Sequence, residues 1–300
     1  MRAIDENTIT EAAIEQMAST PNPRLKEIME CLVKHLHAFA READLTPEEW
    51  LAGIGFLTEV GQKCTPYRQE FILLSDTLGL SACINALHDK RAAEHGTKTS
   101  LLGPFYRQDS PEMAMGDSIV DQPQREVVVY GKITDVSGNP IPKASVEIWQ
   151  SDETGSYDLQ KHDPSVMDLR GHFHTGEDGK YFVKTVVPLG YMIPMDGPVG
   201  DMIRAQNRHG YRPSHIHFLI GAPGYRELVT ALYTYGDEHL ESDTVFGVTD
   251  SLVVHVDDSD PNSPIPGMPS IHYDFQLGAA AADGSGRVGA DPSQITKAGA

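Results

Sequence analysis

Residues 212–220, RPSHIHFLI, carry His215 and His217 two apart in a run that otherwise reads as a buried strand. In a strand, residues i and i+2 share a face and lie ~6.6–7 Å apart, so the two rings can converge on one ion. The spacing alone does not decide this, because two histidines at a strand edge can equally hydrogen-bond to loops. Two other His-x-His strings show how little the spacing means by itself. His35 and His37 fall on an expected helix, where i and i+2 point in different directions. His172 and His174 sit beside GEDG, a turn in which solvated histidines are unremarkable. No HExxH, no recognisable His–carboxylate spacing and no nearby cysteine accompanies His215 and His217. Tyrosines fall in irregular stretches instead. Tyr157 lies in SDETGSYDLQ, after the strand-like run that contains Trp149, and Tyr191 lies in VVPLGYMIPMDGPVG, where prolines and glycines enforce a loop. With 11 tyrosines in the chain, a loop tyrosine is as readily a cap on the core edge as a ligand.

The elements that must position these residues change in kind along the chain. Between Ile14 and Leu87 apolar residues recur at helical spacing, and three or four helices are expected. Leu25, Ile28, Met29, Leu32, Leu36 and Phe39 form one stripe, and Trp50, Ile54, Leu57 and Val60 form another, each a face to be buried. LTPEEW supplies a helix start, with Thr46 as N-cap, Pro47 at the first position and Glu49 closing a capping box. From about residue 96 the chain is rich in Gly, Pro and Ser, and from Glu126 the period becomes two. EVVVYGKITD, ASVEIWQSD, GKYFVKTVVP, SHIHFLIGAP, ELVTALYTYG and SLVVHV read as short strands between turns, the pattern of a β-sandwich. The tail after Gln276 is small-residue and low in complexity, and is expected to be flexible.

The chain has 300 residues and an acidic balance, 24 Lys+Arg against 43 Asp+Glu, for a net charge of −19. That charge argues against nucleic acid or an anionic membrane surface as the main partner. The three cysteines, Cys31, Cys64 and Cys83, indicate neither a disulfide framework nor a zinc knuckle. No secretory leader is read at the N-terminus and no apolar run approaches the ~20 residues of a membrane span, so a cytoplasmic protein is expected.

Taken together, LLGPFYR, VEIWQSDETGSYD, GYMIPMDGP and RPSHIHFLIGAPGY resemble the intradiol ring-cleaving dioxygenases of the catechol and hydroxyquinol type, over about residues 10–275. The resemblance implies a mainly β protein: a helical N-terminal dimerisation domain (1–95), a prealbumin-like β-sandwich catalytic domain (96–275) and a flexible tail (276–300). It implies one Fe(3+) per subunit held by Tyr157, Tyr191, His215 and His217, with an aromatic diol or triol and dioxygen as substrates. It further implies a homodimer through the N-terminal helices, with phospholipid at that interface. The donor set suits the implied metal, since phenolate oxygen is hard and anionic and favours trivalent over ferrous iron. Tyr191 takes the place of the ligand that leaves when substrate binds, and Arg212 that of the cation that steadies the carbanionic diol. The pocket implied by the family comprises Leu73, Asp76, Leu101, Leu102, Gly103, Pro104, Phe105, Ile193 and Pro194, with Asp76 an acceptor for a third ring hydroxyl.

Catechol-specific members of the family carry Gln sixteen residues after the first ligand histidine, where this chain has Ala231. SDTVFGV also looks more like the hydroxyquinol branch, which is favoured over catechol or chlorocatechol. Two other classes fit parts of the pattern. GKITDVSGNPIPKASVEIW resembles the opening of prealbumin-like binding modules without catalysis. A zinc or iron hydrolase would use the same paired histidines with a carboxylate such as Asp158 or Asp196.

Overall fold

A computed structural model describes residues 4–65, 68–91, 96–121, 123, 125–160, 163 and 165–280. The helical part comprises α1 (Ile9–Glu15), α2 (Pro23–Glu42), α3 (Pro47–Lys63), α4 (Glu70–Thr77) and α5 (Leu80–Arg91). Asn22 caps α2 by accepting from the Arg24 and Leu25 amides, with Pro23 at the first position. The expected box opens α3: the Thr46 amide donates to Glu49 Oε2 at 2.9 Å and the Glu49 amide to Thr46 Oγ1 at 3.2 Å.

The chain forms two compact units, divided between Glu59 and Val60. Helix α4 is short and mostly buried, and packs on α6 (Pro198–Ala205) of the sandwich unit. In the first unit the stripe from Leu25 to Phe39 is not buried: Leu36 is 53% and Phe39 57% exposed, and on α3 Trp50 is 60% exposed. Only Val60 of the second stripe is buried. Among the described residues no single helix is long and apolar enough to cross a membrane, and all three cysteines are free.

The sandwich is built from β1 (Glu126–Asp135), β2 (Ser145–Gln150), β3 (Arg170–His174), β4 (Lys180–Val186), β5 (Tyr191–Met192), β6 (Tyr211–Arg212), β7 (His215–Gly221), β8 (Leu228–Thr234), β9 (Val253–Val254), β10 (Ser270–His272) and β11 (Phe275–Leu277). One sheet centres on β1, which pairs with β4 antiparallel and with β10 and β11 parallel. The other has the order β3-β2-β7-β8-β9. Val129, Ile133, Val183, Ile271 and Phe275 of the first sheet meet Ile148, Phe173, Ile216, Phe218 and Leu232 of the second in one buried core. Burial of each such side chain contributes about 1.5–3 kcal/mol.

The chain stays on the fold past Gln276. Leu277 pairs with Asp135, and the Ala280 amide donates to the Gly224 carbonyl at 3.0 Å. The rest of the expected tail, 281–300, lies outside the described residues.

Candidate active site

Period-two geometry sorts the five-stranded sheet into two faces. Ile148, Phe173, Ile216 and Phe218 point into the sandwich core. The other face carries Arg170, His172 and His174 on β3, Ser145, Glu147 and Trp149 on β2, and His215, His217 and Leu219 on β7, set side by side by the register. Over its His215–His217 end lies a second, smaller core of Phe105, Trp149, Tyr157, Tyr191, Leu219 and Val229. The loops that hold the candidate tyrosines are thus folded down onto the histidine end of this face.

Each loop is fixed locally. The segment after β2 turns at Asp152–Gly155, where Gly155 has φ +82°, and Tyr157 then enters a 3-10 turn over Asp158–Gln160. Asp158 is buried, accepts from Arg170 Nε at 2.7 Å and from Arg107 Nη1 at 3.3 Å, and so anchors the turn beside Tyr157. Tyr191 is held differently. It sits on β5 directly opposite Arg212 on β6, so a two-residue ladder joins the candidate phenol to the candidate cation.

The donor atoms converge. His215 Nε2 lies 3.1 Å from His217 Nε2 and 3.4 Å from Tyr157 Oη. The Tyr157 and Tyr191 rings meet edge to face at 5.3 Å, and the Tyr191 and His215 rings lie 5.7 Å apart. The Pro213 carbonyl, 2.6 Å from His215 Nδ1, can only accept, so Nδ1 carries the proton and the Nε2 lone pair faces the cluster. Trp149 stacks on His217 at 4.8 Å and an interplanar angle of 3°, which fixes that ring. All four residues are at most 5% exposed. The Tyr191 hydroxyl makes no well-aligned hydrogen bond, although Arg212 and Tyr157 lie beside it.

Burial sets the charge states. It holds both imidazoles well below the ordinary histidine value, and Arg212 pushes the same way, so both are neutral. Burial likewise pushes the Tyr157 phenol well above its ordinary value and raises that of Tyr191, while Arg212 pulls both back. Such phenols ionise near neutral pH only beside a strong cation. Two inward neutral imidazoles and two phenols, one of them (Tyr191) with no well-aligned partner for its hydroxyl, are a donor set that fits a trivalent metal ion.

Arg212 is 2% exposed, donating to Asp243 Oδ1 at 3.3 Å, His215 Nε2 at 3.1 Å and Tyr233 Oη at 3.4 Å. Asp243 also accepts from the Gly247 amide at 2.9 Å. The chain's pattern gave no separate signal for Asp243, Tyr233 or the Arg170–Asp158 pair, because each acts through a partner distant in sequence.

Of the expected pocket residues, Phe105 stacks on Tyr157 at 4.5 Å and Leu102 packs against the same cluster. Gly103, with φ +74°, comes so close to His217 that a Cβ would sit 3.5 Å from Cε1. The Leu101 backbone lies beside His217. Asp76 is 3% exposed and within electrostatic reach of Arg212; burial pushes its carboxyl up to about 6. Leu73 precedes it by one turn of α4 and Ile193 follows Tyr191 by two; both are buried, and Pro104 and Pro194 are half-buried. Ala231 is fully buried directly opposite His217. Either carboxylate that a hydrolase could use is engaged elsewhere, Asp158 as above and Asp196 by Arg68 at 2.7 Å and Lys63 at 3.2 Å. His172 and His174 lie on β3, directly before the turn at Gly176–Gly179.

The sandwich folds two phenols and two imidazoles into one buried cluster, and the chain that does so matches known proteins. Residues 102–279 match the family described as Dioxygenase, and residues 22–96 the one described as Catechol dioxygenase N terminus. The chain belongs to the intradiol ring-cleavage dioxygenases, a family of non-haem iron enzymes. It is 46% identical to the 6-chlorohydroxyquinol 1,2-dioxygenase of Cupriavidus pinatubonensis, over 84% of this chain and 92% of that one. Identity to the hydroxyquinol 1,2-dioxygenase of Nocardioides simplex is 43%, over 87% of this chain and 89% of that one. The crystal structure of hydroxyquinol 1,2-dioxygenase from Pseudomonas putida DLL-E4 superposes with a TM-score of 0.82 at 42% identity, covering 91% of this chain and 98% of that one.

Proposed function

We propose that this chain opens the ring of hydroxyquinol (benzene-1,2,4-triol) between its vicinal hydroxyls. Both atoms of dioxygen enter the product, 3-hydroxy-cis,cis-muconate or its tautomer maleylacetate. The observation that carries the reading is the convergence of Tyr157, Tyr191, His215 and His217 in one buried cluster. Relatives named for hydroxyquinols, 42–46% identical, support the choice of substrate.

In this reading the four residues hold one ferric ion per subunit. Bound iron would act as a Lewis acid, drawing electron density from a chelated diol and so opening its ring to dioxygen. His215 offers Nε2 because Pro213 keeps the proton on Nδ1. Tyr191, with no well-aligned hydrogen bond, is the residue free to swing away and, ionised as it would be beside the cation, to accept a substrate proton at its phenolate Oη. Arg212, kept charged by Asp243, stabilises negative charge that develops on the substrate ring. Phe105, Leu102 and Trp149 exclude water from the cluster. Asp76 accepts from the third ring hydroxyl, and Leu73, Leu101, Gly103, Pro104, Ile193 and Pro194 complete the pocket wall. Ala231 presents a methyl opposite His217 where catechol-specific members carry an amide. The exposed apolar stripe from Leu25 to Phe39 is the surface on which two copies meet.

The catechol 1,2-dioxygenase of Candida albicans, 38% identical, supports a second reading in which catechol or a chlorocatechol is the preferred diol. The test is the visible spectrum of the iron-loaded protein, alone and with each diol without air, followed by aeration. Expected are a red-brown tyrosinate band, a red shift with hydroxyquinol, and bleaching with ring opening in air. Catechol should react with at least tenfold lower kcat/KM; a reversed ranking would favour the second reading. A protein that stays colourless after ferric loading overturns the assignment of the tyrosines.

A further inference from the structure

We propose that Glu112, His172 and His174 form a second metal site, for a borderline divalent cation such as Zn2+. The three residues stand on the same sheet face as the candidate active site, at its open end. His172 and His174 are i and i+2 on β3, so their rings share that face, with centroids 4.8 Å apart. A parallel bridge pairs Glu112 with His172: the His172 amide donates to the Pro111 carbonyl at 2.8 Å and the Met113 amide to the His172 carbonyl at 2.9 Å. The backbone therefore fixes the carboxylate beside both imidazoles before any ion arrives.

The donor atoms are close and turned inward. His172 Nδ1 lies 2.7 Å from Glu112 Oε1, His174 Nδ1 lies 3.7 Å from Oε2, and one ligand atom from each residue falls within 4.8 Å of the others. Ser145 Oγ, 2.7 Å from His172 Nε2, holds the far side of that ring. Without an ion His172 Nδ1 donates to Glu112; a cation that displaces that proton takes the Nδ1 lone pair while Nε2–H stays donated to Ser145, the outer support usual for a ligating histidine. Glu147 stands opposite His172 on β2 and adds negative charge.

Two imidazoles and one carboxylate suit zinc or its first-row neighbours rather than Mg2+ or Ca2+, which favour oxygen-only shells. Three protein ligands leave a position for water, and the partial exposure of Glu112 and His174 gives access. The bound ion would staple the 111–113 segment to β3, the outermost named strand of the sheet. Because the staple favours the folded chain alone, it would raise the melting temperature by a few degrees at saturating metal.

The test is equilibrium dialysis of the iron-loaded full chain against Co2+ and Zn2+, for wild type, E112Q and H174A. Both replaced side chains are at least half exposed, so the variants are expected to fold. Expected is one divalent ion per wild-type chain with micromolar affinity, a Co2+ d–d band, and at least tenfold weaker binding in both variants. A wild type that binds no such ion, or a loss in fewer than both variants, overturns the proposal. Neither result depends on ring cleavage.

Discussion

Two pairs of histidines with identical spacing stand on one face of one sheet, separated only by β2, and the fold treats them in opposite ways. His215 and His217 are 1% and 2% exposed beneath loops that bring two phenols and an arginine against them. His172 and His174 stand at the open end beside a carboxylate. Spacing therefore determines only that two rings share a face. What lies across from them determines which ion they suit: phenols and a dry surround favour a trivalent metal, and a half-exposed carboxylate a divalent one.

Paired substitutions separate the two histidine pairs most clearly. His217→Ala should remove the visible band, lower bound iron below one tenth per chain and reduce ring opening at least 10³-fold. His172→Ala, at the same spacing, should leave the rate within about twofold. Equal losses in both would break the contrast; iron content and oxygen uptake read it directly.

Arg212→Met comes next, because it leaves Asp243 charged and buried without its partner. Removing one member of a buried pair costs about 3–5 kcal/mol. The variant should lose that much in urea unfolding and at least tenfold in kcat. Arg212→Met with Asp243→Asn should recover part of the stability and none of the rate.

The smallest effect expected is at Asp76. Its carboxyl is raised from 3.8 to about 6, chiefly by burial, so the folded chain holds the proton more tightly than the unfolded chain. Stability then falls as pH rises from about 4 to about 6 and stays lower above that. Asp76→Asn should flatten this slope and, at pH 8, stabilise by roughly 1–3 kcal/mol. An unchanged slope in denaturation between pH 4 and 8 would refute the assignment.

Much of this was legible in the chain. The runs at 126–135, 144–152, 179–188, 214–223 and 227–236 alternate or are continuously apolar, and each holds a strand at most three residues shorter, whereas SLVVHV (251–256) keeps only Val253–Val254 as strand. The Thr46–Glu49 box is local chemistry and forms as read. β3 was not legible, because RGHFH is short and polar and is made a strand by pairing with β2 and the 111–113 segment. α6 begins at Pro198 inside a stretch that reads as loop. Periodicity brought out the shared face of His215 and His217, whereas the approach of Tyr157 and Tyr191 depends on Asp158–Arg170 and on the β5–β6 ladder. Only the family resemblance singled those tyrosines out.

The strand order also sets a timetable for synthesis. The sheet that bears the candidate active site is complete once Val254 has been made, all of its strands lying between Ser145 and there. Its counterpart is not: β1 waits for β10 and β11, and the register joins Val128 to Ser270 and Asp135 to Leu277. A chain ending near residue 260 would therefore hold every strand of the site-bearing sheet over a half-built partner, with Ile148, Phe173 and Phe218 less well covered. Pairings across so long a stretch of chain form late and slowly, and the apolar surface exposed meanwhile is where aggregation starts. The last few strand residues thus have more influence on the yield of folded protein than on its chemistry.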